Sequence, residues 1–323
     1  MAFLQSRTWR EAVATICRED ESPDDLCPFQ QAFRLLRRRK DFDVVVTLGA
    51  RPSLVYGLLC GILRLPSRQV MTEVFLDFSR PRSMAWRIKT ALFRWISRRS
   101  FGILTNSSAE VGLIARRFAI PEGKLRFVPM YTTIQDPSLR PGNDGTVVSI
   151  GRTLRDLDTL IEAARHIRAP VVIVAGRRDR MPAALPSNVQ VLREISLKKS
   201  HELLSRSAVA AAPLLPAERS TGQVFVFEAM AMGKPVVATR SLGTIDYVRD
   251  GENGLLVEAG DAPGLASAVN RLLEDSALAR RLASAAVADC RSEWNAETHA
   301  TRKIAAIQSL WAAGKPTLRD APP

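Results

Sequence analysis

The segment STGQVFVFEAMAM, residues 220–232, places one acid inside an apolar run that directly follows polar residues. We predict a helix over 225–232 with Glu228 in its first turn. An acid there stabilises a helix through the helix dipole by about 0.3–1 kcal/mol. A carboxylate among apolar side chains also needs hydrogen-bond donors, and a ribose offers two adjacent hydroxyls. Glu228 is therefore either a ribose ligand or a helix-stabilising charge.

The residues before this helix could bind an anion and a sugar. Ser220, Thr221 and Gln223 supply side-chain donors and acceptors. Gly222 has no Cβ, so a ligand could approach the backbone closely at that point. Together with the helix start, this loop is a candidate phosphate and sugar site.

A second candidate phosphate site lies at Gly151 and Arg152, directly after a predicted strand over 146–150. Backbone N–H groups at a strand-to-helix turn, with a guanidinium beside them, can hold phosphate oxygens. Arg155 lies in the same loop. The alternative for both arginines is an ordinary solvated surface position. Two phosphate sites and a ribose ligand would together fit a sugar nucleotide.

Strands and helices alternate throughout the second half, where continuous apolar strands indicate a parallel sheet that is covered on both faces. We predict strands over 146–150, 169–176, 188–192, 208–215, 234–239 and 254–257, and helices over 156–167, 197–207, 225–232, 261–274, 277–290 and 295–312.

The first half alternates in the same way but more weakly. We predict strands over 42–48, 69–76, 101–106 and 124–129, and helices over 54–64, 82–99 and 107–118. The stretch 133–145 is rich in Pro, Gly, Asn and Asp and is predicted to be a linker.

These elements predict an α/β protein with two Rossmann-like parallel-sheet domains, which would face each other across a cleft. Ligands of such folds bind at the carboxyl ends of the strands. We predict a first domain over 1–135 and a second domain over 136–295. A closing helix over 296–313 would cross back to the first domain, and 314–323 would be a disordered tail.

Positive charge is concentrated in the first half. Residues 1–140 contain 23 Lys/Arg and 13 Asp/Glu, whereas residues 141–323 contain 23 and 20. Within this half, the predicted helix 82–99 is basic and amphipathic, with tryptophans near its apolar face. Such a helix suits an anionic membrane surface. An ordinary helix packed on a sheet would show the same pattern, and both interpretations can hold together. No nucleic-acid-binding motif is present, so we expect no nucleic-acid partner.

Cysteine and histidine are too sparse for a metal site. The four cysteines contain no C-x-x-C pair, which favours buried thiols in a reducing compartment. The three histidines, His166, His201 and His299, are widely spaced. No signal peptide and no membrane-length apolar run is evident, so we expect a cytoplasmic protein, peripheral at the inner face of the membrane.

Several segments together resemble glycosyltransferase family 4, whose members have the GT-B fold and retain anomeric configuration. They are SIGR (149–152), DTLIEAA (158–164), VVIVAG (171–176), STGQVFVFEAMAMGKPVVAT (220–239) and DYVRDGENGLLV (246–257). The resemblance covers about residues 146–290, with a looser match over 102–129. It implies a GT-B-like protein whose first domain binds the acceptor and whose second domain binds the donor. The activity would be that of a hexosyltransferase that needs no cofactor beyond its co-substrate, a nucleotide sugar. We expect it to be metal-independent, because arginines and helix N-termini can stabilise the leaving diphosphate. The acceptor would be a glycan or a lipid-linked intermediate.

The resemblance also implies residue roles. Gly151 and Arg152 would bind the donor diphosphate, and Glu228 would bind the ribose. The segment Thr221–Val224, which comprises Thr221, Gly222, Gln223 and Val224, would contact the diphosphate and the transferred sugar, partly through backbone amides. Arg152 thereby becomes a candidate catalytic residue.

The chain departs from the family pattern at three places. Ser220 stands where the family has the first acid of a glutamate pair, which contacts the hydroxyls of the transferred sugar. The usual lysine after Gly–Arg is absent, and Arg155 is the nearest cation that could replace it. The first half has no histidine and no recognisable opening strand, so Glu73 is our candidate for the histidine's catalytic place. A structural acid at the rim is the alternative for Glu73.

Two other classes of protein remain open. The chain could be a degenerate, non-catalytic GT-B protein that binds a partner or polymer, as Ser220 and the reduced first half would allow. It could also be a dinucleotide-dependent oxidoreductase, although a G-x-G-x-x-G turn after an early strand is missing.

Overall fold

The computed structural model describes residues 13–14, 28–74, 83–140 and 143–314. These residues form two compact units, Met1–Pro129 with Ala300–Pro323, and Met130–His299. Each unit is built on a parallel sheet with helices on its faces, which is the arrangement that the alternation of strands and helices predicts.

The described strands of the first unit lie in the order β1-β2-β3-β4-β5, so that neighbours in the chain are neighbours in the sheet. The elements in chain order are β1 (Val13–Ala14), α1 (Pro28–Arg38), β2 (Val44–Leu48), α2 (Ala50–Ile62), β3 (Gln69–Thr72), α3 (Met84–Arg99), β4 (Gly102–Thr105), α4 (Ser108–Phe118) and β5 (Leu125–Phe127).

Three hydrophobic clusters pack on this sheet. In one of them, Phe93 and Ile96 of α3 pack with Phe118 of α4 and with strand residues such as Met71. A smaller cluster joins α1 and α2 to β2. The third contains Ile307 and Leu310 of the last helix, α10 (Ala296–Ala313), together with Val70 and Leu104 of the strands. The residues of α10 from Ala300 onward therefore belong to the first unit.

Three predictions for the first half need correction. An opening strand is present, because Val13 pairs in parallel with Val44; two residues are too few for a recognisable periodicity. Helix α1 also went unpredicted. The strand predicted over 69–76 ends at Thr72, where Glu73 adopts a φ of 52° that interrupts extended backbone. The last residues of that prediction, and the tail after residue 314, lie outside the described residues.

The stretch predicted as a linker packs within the second unit over its described part. The N–H groups of Ser138 and Arg140 donate to the carbonyl oxygens of Ala231 and Met232. A chain segment that is held in this way caps the end of a helix, which explains why Pro- and Asp-rich sequence occurs there without a strand or a helix.

The second unit contains six parallel strands in the order β11-β10-β9-β6-β7-β8. Its elements are β6 (Val147–Ile150), α5 (Leu157–Ala164), β7 (Val171–Ala175), β8 (Val189–Arg193), α6 (Leu197–Arg206), β9 (Val209–Ala212), α7 (Gln223–Ala231), β10 (Val236–Thr239), β11 (Leu255–Val257), α8 (Ala262–Glu274) and α9 (Ser276–Ser292), followed by the first residues of α10.

The strand order reverses beside β6. The chain runs outward from β6 to β7 and β8, and then returns to β9 on the other side of β6. Such a reversal opens a crevice at the carboxyl ends of the two central strands, where open α/β sheets bind ligands. Because the next crossovers run in one direction, α6 and α7 lie side by side on one face of the sheet, where Leu204 and Phe227 share a cluster.

The turn after β10 supports the loop that follows β9. Gly243 packs so closely on the backbone of Thr221 that a Cβ at this position would overlap the peptide atoms of Thr221. Thr244 holds the turn in place, because its Oγ1 donates to Thr239 O and accepts from Ser241 N. The position of residues 220–222 therefore depends on a glycine that lies about twenty residues further along the chain.

We expect Gly243→Ala to lower the free energy of unfolding by about 1–3 kcal/mol, because the added methyl must displace backbone atoms rather than a flexible side chain. The measurement is chemical denaturation. Gly123→Ala is the control, since a Cβ at Gly123 meets nothing within 4 Å. Equal denaturation midpoints for the two variants would contradict the close packing.

Candidate functional site

Gly151 and Arg152 begin the turn at the carboxyl end of β6, beside the strand-order reversal. Gly151 has a φ of 150°, and a Cβ there would overlap the guanidinium of Arg155. Only glycine therefore fits at this position. Leu154, in the same turn, has a left-handed φ of 52°. Strain of this kind at a strand end is typical of functional turns.

The Arg155 side chain folds back over this turn. Its Nε and Nη2 both donate to Ile150 O, at 3.2 and 2.8 Å, and its guanidinium lies 5.4 Å from the centre of the Phe225 ring. Burial lowers the pKa of Arg155 to about 10, so the group remains a cation at neutral pH. Its buried Nη1 has no hydrogen-bond partner among the described residues. The Nη1 group is thus a charged donor that lacks an acceptor among the described residues.

Arg152 extends in another direction. Its side chain is exposed, and its Nη2 lies 3.7 Å from Glu194 Oε2, directly after β8. Glu194 also accepts from Arg177 N and has a left-handed φ of 51°. Because both side chains are exposed, the ion pair is weak, and Arg152 could readily release Glu194 and bind a ligand phosphate instead. Glu194 was not predicted as a site residue, since an isolated acid after a short strand has no distinctive sequence pattern.

The loop before α7 meets the turn after β6. Thr221 Oγ1 donates to Thr153 O at 3.4 Å, and a Cβ at Gly222 would lie 3.3 Å from Arg155 Nη1. Gly222 has a φ of 86° and is the N-cap of α7. The two segments that the sequence singled out separately are therefore neighbours, with Arg155 between them.

Burial differs along this loop. Ser220, Thr221 and Gln223 are buried, whereas Val224 is 56% exposed. The N–H groups in the first turn of a helix have no partner within the helix. They are therefore available to an anion at the start of α7. The Val224 side chain points away from the buried loop, so any contact that it makes with a ligand phosphate must come from its backbone.

Glu228 lies in the second turn of α7, and its predicted place in the first turn is wrong, because the helix begins at Gln223. The helix-dipole interpretation is weakened accordingly, since that effect falls off after the first turn. The Glu228 side chain is only 10% exposed, and its Oε1 accepts a hydrogen bond from His201 Nε2 of α6 at 3.1 Å. In the sequence, His201 was a candidate only for metal binding, and its pairing with Glu228 was not predicted.

Glu73 is placed in the first unit, at the carboxyl end of β3, with a left-handed φ of 52°. Its charge raises the pKa of Lys303, which burial lowers by a larger amount. A strained acid at a strand end is the geometry expected of a functional residue. The other candidate site residues all belong to the second unit.

Metal ligands are not clustered in the described part of the chain, where no three His, Cys, Asp or Glu residues could hold an ion together. Cys60 and Cys290 are buried free thiols, and burial raises the pKa of both. Cys17 and Cys27 lie outside the described residues.

Comparison with known proteins gives a match in the second unit. Residues 144–275 match the family model described as glycosyl transferases group 1. The lipopolysaccharide core biosynthesis glycosyltransferase LpsE of Rhizobium meliloti is 50% identical over 58 residues, which cover 18% of this chain and 17% of LpsE. The phosphatidyl-myo-inositol mannosyltransferase of Mycobacterium leprae is 34% identical over 130 residues, covering 38% of this chain and 34% of that protein. The matches thus span about a third or less of these relatives' length.

The fold match extends further than the sequence match. The crystal structure of HepE from Anabaena in complex with UDP superposes with a TM-score of 0.68 at 18% identity, covering 86% of this chain and 82% of HepE. Sucrose-phosphate synthase from Thermosynechococcus elongatus superposes with a TM-score of 0.66 at 20% identity, over 87% of this chain and 77% of that one. The predicted fold class is confirmed: the chain has the GT-B fold, and residues 144–275 in its second unit are similar in sequence to the group 1 glycosyl transferases.

Proposed function

We propose that the chain is a retaining, metal-independent hexosyltransferase of glycosyltransferase family 4, which transfers a sugar from a nucleoside diphosphate sugar to a lipid-linked or polysaccharide acceptor. The observation that carries this proposal is that the turn at Gly151 and the loop at Gly222 are neighbours, with Arg155 between them. The UDP complex of HepE and the match to group 1 glycosyl transferases support the same class of donor.

The donor would lie across the carboxyl ends of β6 and β9. Arg155 Nη1 and the first-turn N–H groups of α7 would bind the diphosphate between the two turns. Arg152 would exchange Glu194 for a phosphate oxygen. Glu228 would accept hydrogen bonds from the ribose hydroxyls through the oxygen that His201 does not occupy.

The chemical step follows from these contacts. The bond between the sugar C1 and the diphosphate oxygen breaks, and the acceptor hydroxyl oxygen bonds to C1 on the same face. The acceptor proton passes to the departing phosphate, so that no protein base is required. Negative charge develops on the diphosphate, and the buried Arg155 cation and the exposed Arg152 cation would stabilise it. Ser220 would contact the transferred sugar through its hydroxyl, and Glu73 would face the acceptor.

One observation favours a second candidate function, a non-catalytic GT-B binding protein. Ser220 replaces the acid that the resemblance leads us to expect, and a hydroxyl stabilises developing positive charge on the sugar less well than a carboxylate. Such a protein would retain the nucleoside diphosphate but transfer no sugar. An oxidoreductase would instead prefer NAD or NADP, and titration with both classes of ligand distinguishes these possibilities.

The acceptor side of the proposal relies on helix α3. Met84, Ile88 and Trp95 are 65%, 62% and 40% exposed and follow one stripe of this helix. Arg87 and Arg98 border the stripe, and the guanidinium of Arg99 lies 5.4 Å from the centre of the Trp95 ring. The apolar face predicted from the sequence is thus divided, since Ile96 is buried with Phe93 against the sheet.

We propose that the exposed stripe lies at an anionic membrane surface, where a lipid-linked acceptor would be found and where the protein would be peripheral on the cytoplasmic side. A basic helix with exposed tryptophan suits the interface between headgroups and acyl chains. None of the described helices is long and apolar enough to cross a bilayer.

Glu228→Gln should weaken nucleoside diphosphate binding by about 1–3 kcal/mol, because the charged hydrogen bonds to the ribose are lost while the side-chain size is kept. Isothermal titration calorimetry measures the change, with Glu162→Gln on exposed α5 surface as the matched control. If Glu228→Gln bound the nucleoside diphosphate as tightly as Glu162→Gln does, Glu228 would not be a donor-binding residue.

Arg152→Ala should weaken binding of the nucleoside diphosphate by about tenfold or more and leave binding of the free nucleoside nearly unchanged, because only the diphosphate uses the guanidinium. Arg165→Ala is the control. Arg165 is an exposed arginine that forms an ion pair with Glu162, just as Arg152 forms one with Glu194. If both ligands lost affinity equally, Arg152 would have a structural role.

Changing Arg87, Arg98 and Arg99 together to Gln should release the protein from anionic vesicles, since each Lys or Arg at such a surface contributes about 1 kcal/mol. Arg94 is left unchanged because its Nε donates to Phe118 O. Vesicle sedimentation at low salt is the measurement, and high salt should mimic the change.

The control for charge alone is the triple Gln variant of Arg165, Arg168 and Arg271, which lie on the second unit. Nucleotide affinity should be unchanged in both triple variants. If the α3 variant stayed bound to anionic vesicles as strongly as this control variant, α3 would have no role in membrane binding.

A further inference from the structure

The interaction between His201 and Glu228 suggests a role that the family resemblance did not supply. Glu228 is nearly buried on α7, and His201 Nε2, at 3.1 Å from Oε1, is its one side-chain partner among the described residues. A carboxylate accepts this bond, so the imidazole must carry its proton on Nε2. The Glu228 Oε2 takes no hydrogen bond from the described residues.

The two helices hold this pair in a defined geometry. Leu204 of α6 packs in the same cluster as Phe227 and Met230 of α7, which fixes the two helices side by side. His201 lies one turn before Leu204 on α6. The His201 side chain is 28% exposed, and the ring lines a groove of about 560 Å³ with Arg140, Lys198 and Glu202. Its Nδ1 makes no hydrogen bond with the described residues, so the bond to Glu228 is the one hydrogen bond among them that orients the ring.

We propose that His201 is a positioning residue for ribose recognition: it holds Oε1 of Glu228, so that Oε2 stays oriented toward the vicinal hydroxyls of a ribonucleoside diphosphate. This inference rests on the proposed function, because it assumes that Glu228 binds ribose. A glutamate that is free to rotate would lose rotamer freedom on binding, whereas a carboxylate already held by His201 loses less.

A structural role for His201 makes a different prediction. A histidine that only satisfied a buried carboxylate would affect the stability of the protein and the binding of all ligands alike. A positioning role concerns the ribose hydroxyls, so it should matter less for a nucleotide that lacks one of them. Ribose discrimination therefore separates the two roles.

Isothermal titration measures the affinity of the wild type, His201→Ala and His201→Gln for nucleoside diphosphates. UDP, GDP, ADP and CDP are titrated into the wild type, and the tightest of them is then compared with its 2′-deoxy form. His201→Ala should weaken the ribonucleotide by about tenfold and the deoxynucleotide by less than about threefold. Gln can donate from its side-chain amide, so His201→Gln should recover most of the loss.

The control variant is His166→Ala, which removes an exposed histidine from the same unit and should leave both affinities unchanged. In a Glu228→Gln background, His201→Ala should cause little further loss, because the two residues act together. Thermal unfolding verifies that each variant is folded. If His201→Ala is not folded, His201→Leu replaces it, because a leucine fills the space of the ring but cannot donate a hydrogen bond to Glu228.

Three outcomes would overturn the inference. Unchanged ribonucleotide affinity in His201→Ala, with Glu228→Gln still weakened, would show that Glu228 binds without help. Equal losses for ribo- and deoxynucleotides would leave His201 a structural role only. Failure of the wild type to bind any of the four diphosphates would overturn the proposed function itself, and the inference with it.

Discussion

The Arg155 guanidinium is a cation buried between the end of β6 and the start of α7. Burial of a charge is unfavourable unless hydrogen bonds compensate for lost water. Arg155 receives part of this compensation from Ile150 O and from the Phe225 ring, and its Nη1 receives none from the described residues. Gly151 follows from this placement, since a side chain there would occupy the space of the guanidinium, whereas a side chain at Gly222 would first meet Leu214. A ligand phosphate would provide the acceptor that Nη1 lacks.

Much of the second unit could be predicted from its sequence, because buried parallel strands are continuous apolar runs with clear ends. The turn at Gly151 and the loop at Gly222 were predicted as neighbours of one ligand, and Thr221 and Arg155 do connect them. The position of the Arg155 side chain between the two turns, rather than at the surface, could not be predicted. It depends on the direction of the side chain, and the sequence shows only where the residue stands in the loop.

The partners of the candidate residues were the least predictable part. His201 and Glu228 are 27 residues apart, and their contact arises because two successive crossovers place α6 and α7 on the same face. The handedness of parallel crossovers would have indicated this pair, once the strand order was known. In the first unit, a two-residue opening strand and the strained backbone of Glu73 leave no periodic signal.

Every residue role proposed above depends on sugar transfer from a nucleoside diphosphate sugar. It is tested most directly by incubating the protein with a panel of nucleoside diphosphate sugars and a membrane extract, followed by mass spectrometry of the products and determination of their anomeric configuration. We expect one glycosylated product with the donor's configuration, formed together with free nucleoside diphosphate. Tight binding of a nucleoside diphosphate without any such product across the panel would contradict it and favour the non-catalytic binding protein.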